Sequence, residues 1–211
     1  MIPSKLKNVI ESARKAMIND EENWIYLGHR YLICRELGPN TNYSNFSLKA
    51  FGLRRRTYLQ MLCIKKVMHL WQKEFPNNEM PAETISLLEK YFIGHASPDP
   101  KLSKSGKYYE FMTFLEGDNP VYLVANACIS SLRIAEHDEF LFTDEGKEIL
   151  KQLDYPVEDL LDGEIDVDLL DASYSACGAY ENGLFNSPTL SLEFWTWYLD
   201  EAVPKAYESV D

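Results

Sequence analysis

The sequence predicts an all-α protein, a multi-helix bundle of antiparallel helical hairpins, and three observations carry that prediction. Between Arg54 and Phe75, the residues Leu59, Leu62, Cys63, Val67, Leu70, Trp71 and Phe75 recur at three- and four-residue intervals. That spacing puts them on one side of a helix of ~3.6 residues per turn. Proline, asparagine and glycine stand where helices would start or stop, as in Phe75-Pro76-Asn77-Asn78, Met80-Pro81, Asn119-Pro120 and Ser187-Pro188. Strand-type alternation is confined to Glu164 through Asp168.

Taken in order, Ser4 is placed to cap a first helix whose Leu6, Val9, Ile10, Ala13 and Met17 make one face and which ends near Asn19-Asp20. A second helix is expected from about Glu21. Glu21 and Glu22 suit the positive end of its dipole, Trp24, Leu27, Tyr31 and Cys34 its apolar side, and Gly38-Pro39 its close. These two form the expected N-terminal hairpin portion, residues 1–52. The polar loop GPNTNYSNFS leads to a short helical turn at 48–52, with a break expected at Gly52 before the central helix. Pro81 opens a fourth helix through Ile85, Leu88 and Phe92, ended by Gly94.

The stretch HASPDPKLSKSG reads as a linker-like loop. A short helix at Tyr108 to Leu115 precedes a strongly apolar one at Val121 to Ile134, whose Ala125, Ala127, Ser130 and Ser131 admit a close neighbour. A modest helix is expected around Asp144 to Leu153, another from Asp168 to Gly183, and a last one after Ser187-Pro188. In that last helix Leu192, Trp195, Leu199 and Ala202 form a seam, with Phe194 and Tyr198 beside it. Trp195 and Trp197 lie about 200 degrees apart on the wheel, so they cannot both occupy the centre of one buried face: either the terminal helix lies in a groove with both indoles partly buried, or one of them is available to a partner. Residues 53–211 make the main bundle, and the whole of 1–211 is read as a single all-helical domain.

At 211 residues and 45% hydrophobic, the chain is long and apolar enough to bury a core without staples. Cys34, Cys63, Cys128 and Cys177 are scattered, with no C-x-x-C pair, which fits a reduced, cytoplasmic protein. No segment approaches the ~20 apolar residues of a membrane span, so no membrane partner is expected. The charge is lopsided. Residues 1–110 hold 17 Lys+Arg and 11 Asp+Glu, whereas residues 111–211 hold 4 and 22. An acidic half argues against nucleic acid, whose phosphates need Lys and Arg, and for a basic protein. Mutual attraction of the two halves across the bundle, or a solvated acidic face, is the alternative.

Motifs for chemistry are weak. Glu158-Asp159-Leu160-Leu161-Asp162 has the look of an aspartate-rich magnesium motif, but no second such motif accompanies it. Asp162-Gly163-Glu164-Ile165-Asp166-Val167 starts like a calcium loop and then has Val167 at the glycine position and Ser173 at the bidentate Glu position. His29, His69, His95 and His137 lack paired metal-ligand spacing. No phosphate loop, dinucleotide fingerprint or nucleophile elbow is present. The expectation is a non-enzyme without a cofactor or metal. The basic run Arg54-Arg55-Arg56 reads as a solvated turn or as ion-pair partners of the acidic half.

The order of features resembles the helical immunity-protein family of bacterial polymorphic toxin systems. A Cys-containing helix ends before Phe75-Pro76, a second opens at Met80-Pro81-Ala82, and a Cys-bearing helix rich in Ala and Ser spans Val124 to Arg133. Ala172-Ser173-Tyr174-Ser175-Ala176-Cys177-Gly178 follows, then a terminal F-W-x-W-Y-L-x-E-A-V-P run from Phe194 to Pro204, the most specific piece. The resemblance spans roughly Arg54 to Ala206. It implies an antidote that binds a cognate toxin domain and occludes its active site or substrate cleft. A helical adaptor with no toxin partner would show the same bundle pattern. Asp154, Glu158, Asp159, Asp162, Glu164, Asp166, Asp168 and Asp171 lie within 18 positions free of Lys and Arg, and a nuclease toxin would offer them a basic cleft. Glu158, Asp159, Asp162, Glu164, Asp166, Asp168, Asp171 and Trp197 are therefore the expected toxin-binding residues.

Overall fold

A computed structural model describes residues 1–38, 51–96, 119–136, 171–183 and 188–210, together with residues 108, 110, 112, 113 and 115. Every regular element among them is helical. In chain order these are α1 (Ser4–Asn19), α2 (Leu27–Glu36), α3 (Phe51–Glu74), α4 (Met80–Phe92), α5 (Pro120–Glu136), α6 (Ala172–Gly183), α7 (Pro188–Trp197), a π-type turn (Tyr198–Ala202) and α8 (Val203–Glu208). The loop at 39–50, the segment at 97–107 and the modest helix expected at Asp144 to Leu153 lie outside the described residues.

α1 buries the face expected of it, Leu6, Val9, Ile10, Ala13 and Met17. Ser4 is its first helical residue rather than its cap, because Pro3, fixed in an extended conformation, already lends its carbonyl to Lys7 N–H at 3.1 Å. The second helix begins six residues later than expected. The Asp20 carboxylate accepts the Glu22 and Trp24 N–H groups at 3.1 and 2.8 Å and the Tyr26 hydroxyl at 2.5 Å. Asn23 takes φ 59°, and this side-chain-stabilised turn outcompetes helix over Glu21 to Tyr26. α2 itself is buried nearly all round, through Leu27, Gly28, His29, Arg30, Tyr31, Ile33 and Cys34.

α3 runs unbroken through Gly52. Gly38, at φ +146°, explains why: a Cβ on it would stand 2.8 Å from Gly52 Cα. The two glycines let the end of α2 press against the start of α3, so Gly52 serves packing rather than a break. At the far end Asn78 holds the turn, taking the Trp71 indole N–H on its carbonyl at 2.8 Å and the Met80 N–H on its side chain at 3.0 Å. α4 has Pro81 in its first turn and stops at Gly94, φ 76°.

α3 and α5 are the centre. α3 packs on α4, α5, α6 and the C-terminal helices, while α5 packs on α3, α4 and α6. Ala125, Ala127, Ser130 and Ser131 of α5 are all buried, as the small-residue pattern anticipated. α6 answers with small residues of its own, Ala172, Ser173, Ser175, Ala176 and Ala179. A Cβ on Gly178 would meet the Leu123 side chain at 3.2 Å. The last helix is interrupted by the π-type turn, where Val203 N–H reaches back five residues to Tyr198 O. Pro204 follows at once in the first turn of α8, and the wider turn accommodates the ring and the missing N–H.

Candidate interaction surface

Of the expected toxin-binding residues, Glu158, Asp159, Asp162, Glu164, Asp166 and Asp168 lie outside the described residues. Their charge context is nonetheless sharp. Residues 137–170 hold 12 Asp+Glu and 2 Lys+Arg, a net of −10 in a chain of net −12. The rest of the molecule is close to neutral. Several of the other acids meet bases of the N-terminal half: Arg14 pairs with Asp200, the Met1 ammonium lies 3.8 Å from Glu208, and Arg30 faces Asp171. The expected attraction between halves is thus real for these groups.

Trp195 and Trp197 part as the helix wheel required. Trp195 is fully buried, edge-on to Phe194, Tyr198 and Trp24 at 5.2, 5.4 and 5.8 Å between ring centres. Trp197 is half-buried on the flank of the bundle, 5.4 Å from Phe194, with the Lys66 ammonium 4.9 Å from its ring centre. Lys66 also stands 5.2 Å from the Tyr180 ring, whose hydroxyl is held by Glu193. The indole is therefore pre-ordered, the property that lets an aromatic anchor bind without a large entropic loss. Leu192, expected in the buried seam, is 36% exposed; Phe194 occupies the buried position because Ser191, Phe194 and Trp195 face the core.

Asp171 has a different fate from the surface role expected of it. It is 1% exposed and caps α6: one carboxylate oxygen accepts the Ser173 N–H at 2.8 Å and the Ser173 hydroxyl, and the other lies 3.8 Å from Arg30 Nε. The Ala172 N–H donates to Gln60 Oε1 at 2.7 Å, so two of the orphan donors at the helix start are satisfied. Arg30, 0% exposed, has its guanidinium carbon 5.0 Å from the Tyr174 ring centre and 5.8 Å from that of Trp195. Burial, reinforced by the Asp171 carboxylate, raises the Tyr31 phenol and the Cys63 thiol above their ordinary pKa values. Burial also pushes Cys128 up to about 12 and raises Cys177. These thiols are held protonated, the reverse of what a nucleophilic cysteine requires.

The basic triplet is not a solvated turn. Arg56 is fully buried and donates to Cys34 O at 3.2 Å and Gly38 O at 2.8 Å. Arg55 donates to Leu37 O and Val210 O, and Arg54 to Phe92 O. All three meet carbonyls at chain or helix ends, which accept cations by geometry and dipole. Sequence reading missed these arginines and the Arg30–Asp171 pair. The available signals were Asp171-Ala172-Ser173, a capping pattern, and an arginine set within Leu27-Gly28-His29-Arg30-Tyr31-Leu32-Ile33-Cys34. His69 is exposed and His29 is buried 3.3 Å from Ser12 Oγ. Among the described residues no group of three His, Cys, Asp or Glu side chains could hold a metal ion, and no helix is long and apolar enough to cross a membrane.

A search of curated proteins finds no match to the chain. The model of the family described as Immunity protein Imm5 matches residues 10–205, from within α1 to within α8. The chain belongs to that immunity-protein family.

Proposed function

We propose that this protein neutralises a cognate toxin domain in the cytoplasm by binding it and covering its active site or substrate cleft, without chemistry of its own. Family membership carries the proposal, since an immunity protein acts on a toxin. The contact surface in this reading comprises the acidic residues Glu158, Asp159, Asp162, Glu164, Asp166 and Asp168 together with Trp197. Two features support it: the concentration of net charge −10 in residues 137–170, and the pre-ordered, half-buried indole of Trp197. A toxin that cleaves nucleic acid needs a basic cleft for phosphate, and a dense run of carboxylates is the complementary partner, speeding encounter as well as blocking the cleft.

The test is to co-express the tagged chain with the protein encoded immediately beside it and purify at about 150 mM salt, where long-range attraction between exposed charges is partly screened. A stoichiometric complex, with growth rescued from the neighbour's toxicity, is the expected result. Absence of both complex and rescue would overturn the proposal.

A further inference from the structure

The outer face of the terminal helix carries two neighbouring rows of side chains at four-residue spacing, Leu192, Thr196 and Asp200 in one and Glu193, Trp197 and Glu201 in the other. The wider π-type turn still brings Glu201 round over Trp197. Leu192, Glu193, Asp200 and Glu201 are exposed, and Thr196 and Trp197 are half-buried. No Lys or Arg occurs from Pro188 through Pro204. Trp197 is therefore bordered along its own row by a carboxylate one turn before it and another one turn after it. Two cations of the same chain already use this face: the Lys66 ammonium lies 4.9 Å from the centre of the indole, and Arg14 of α1 pairs with Asp200. Glu193 is held in place by the Tyr180 hydroxyl, which donates to its Oε1 at 2.5 Å. Glu201 enters no hydrogen bond or ion pair among the described residues.

We infer that this face is the seat of an arginine side chain of the toxin domain, its guanidinium stacked on the exposed part of the Trp197 ring and drawn there by Glu193 and Glu201. The inference rests on the toxin-binding reading proposed above and names the group that Trp197 meets. Arginine suits the seat better than lysine, because a guanidinium is flat and weakly hydrated, lies well on an indole and offers a fork of N–H donors to a carboxylate. An ordered aromatic side chain with exposed acids around it and Leu192 in the next row has the make-up of an interface anchor for a basic partner.

The first arm of the test uses no toxin. The indole N–H resonance of Trp197, assigned by its loss in Trp197→Phe, is followed by NMR as N-acetylarginine amide is added. It should shift saturably, with affinity lower by about three-fold or more in E201Q and in E193Q and lower also for N-acetyllysine amide. E201Q changes an exposed group and should melt with the wild type, and E193Q keeps an acceptor for the Tyr180 hydroxyl. The second arm uses the toxin domain encoded beside the gene. E201Q should speed its dissociation about ten-fold, and W197A/E201Q should lose less than the product of the two single losses, because both variants release the same guanidinium. No saturable shift, or an equal response to the arginine and lysine amides, overturns the arginine seat. Equal dissociation of the wild type and E201Q, or strictly multiplicative losses, overturns its part in recognition. A wild-type chain that takes up arginine amide and binds no neighbouring toxin sinks the toxin reading instead and leaves the seat standing.

Discussion

Arg56 donates to two carbonyls at and just beyond the end of α2, those of Cys34 and Gly38. The bond to Cys34 is buried and the one to Gly38 partly so, and the Arg56 side chain itself is fully buried. Arg56→Met keeps the apolar stem and deletes the donors, so it should destabilise the fold by roughly 3 kcal/mol, the range for stranding a buried acceptor once served by a charged group. Arg54 is only half-buried, where it donates to the carbonyl of Phe92 and lies over that residue's ring. Arg54→Met should therefore cost under roughly 1 kcal/mol, because water can take the place of a partly exposed donor. Urea denaturation of the two variants measures the difference. Equal losses would mean that burial does not separate the two arginines, and that the carbonyls at the end of α2 find other partners.

Helices α2 and α3 meet where Gly38 lies at φ +146° with space for no side chain, the nearest atom being backbone and unable to yield. Gly38→Ala should accordingly cost roughly 1–3 kcal/mol through strain at a conformation that L residues rarely adopt, with Gly52 pushed away. Gly178→Ala, which meets only the movable end of Leu123, should cost less. A thermal melt of Gly38→Ala that matches the wild type would disprove the close approach. This junction also shows which elements a sequence can declare. α1, α3, α4, α5 and the terminal helix were legible because one apolar face and local punctuation by proline or glycine define them. Of α2 the helix itself, its buried Leu27, Tyr31 and Cys34 and its close near Gly38 were legible, but not its start, which is set by the Asp20 side chain rather than by Glu21 and Glu22. The π-type turn follows from Pro204 inside an otherwise helical run, a signal present but local to one residue. For the interaction surface, the opposite fates of Trp195 and Trp197 follow from 100 degrees per residue. The inward turn of Asp171 does not, because its partner Arg30 is brought to it only by the tertiary packing of α2.

At the scale of the molecule, ion pairs such as Arg14–Asp200 and Met1–Glu208 tie the two halves of the chain together at their exposed rims. Pairs of that kind contribute under roughly 1 kcal/mol each, so the uneven charge is better understood through encounter with a partner than through the fold. Neutralising Glu158, Asp159, Asp162, Glu164, Asp166 and Asp168 to Gln or Asn removes six charges and takes residues 137–170 from −10 to −4. If those carboxylates steer a basic toxin, its association at low salt should slow by about ten-fold or more, with a smaller change in dissociation. The gap between variant and wild type should close near 1 M salt, where the screening length is about 3 Å. Trp197→Ala should do the opposite, leaving association nearly unchanged while the complex dissociates about ten-fold faster, because a pre-ordered aromatic anchor acts after encounter. Stopped-flow association and dissociation across a salt series separate the two effects in one experiment. An acid-neutralised variant that associates at the wild-type rate in low salt would end the steering argument and leave contact at Trp197 to stand or fall on its own dissociation rate.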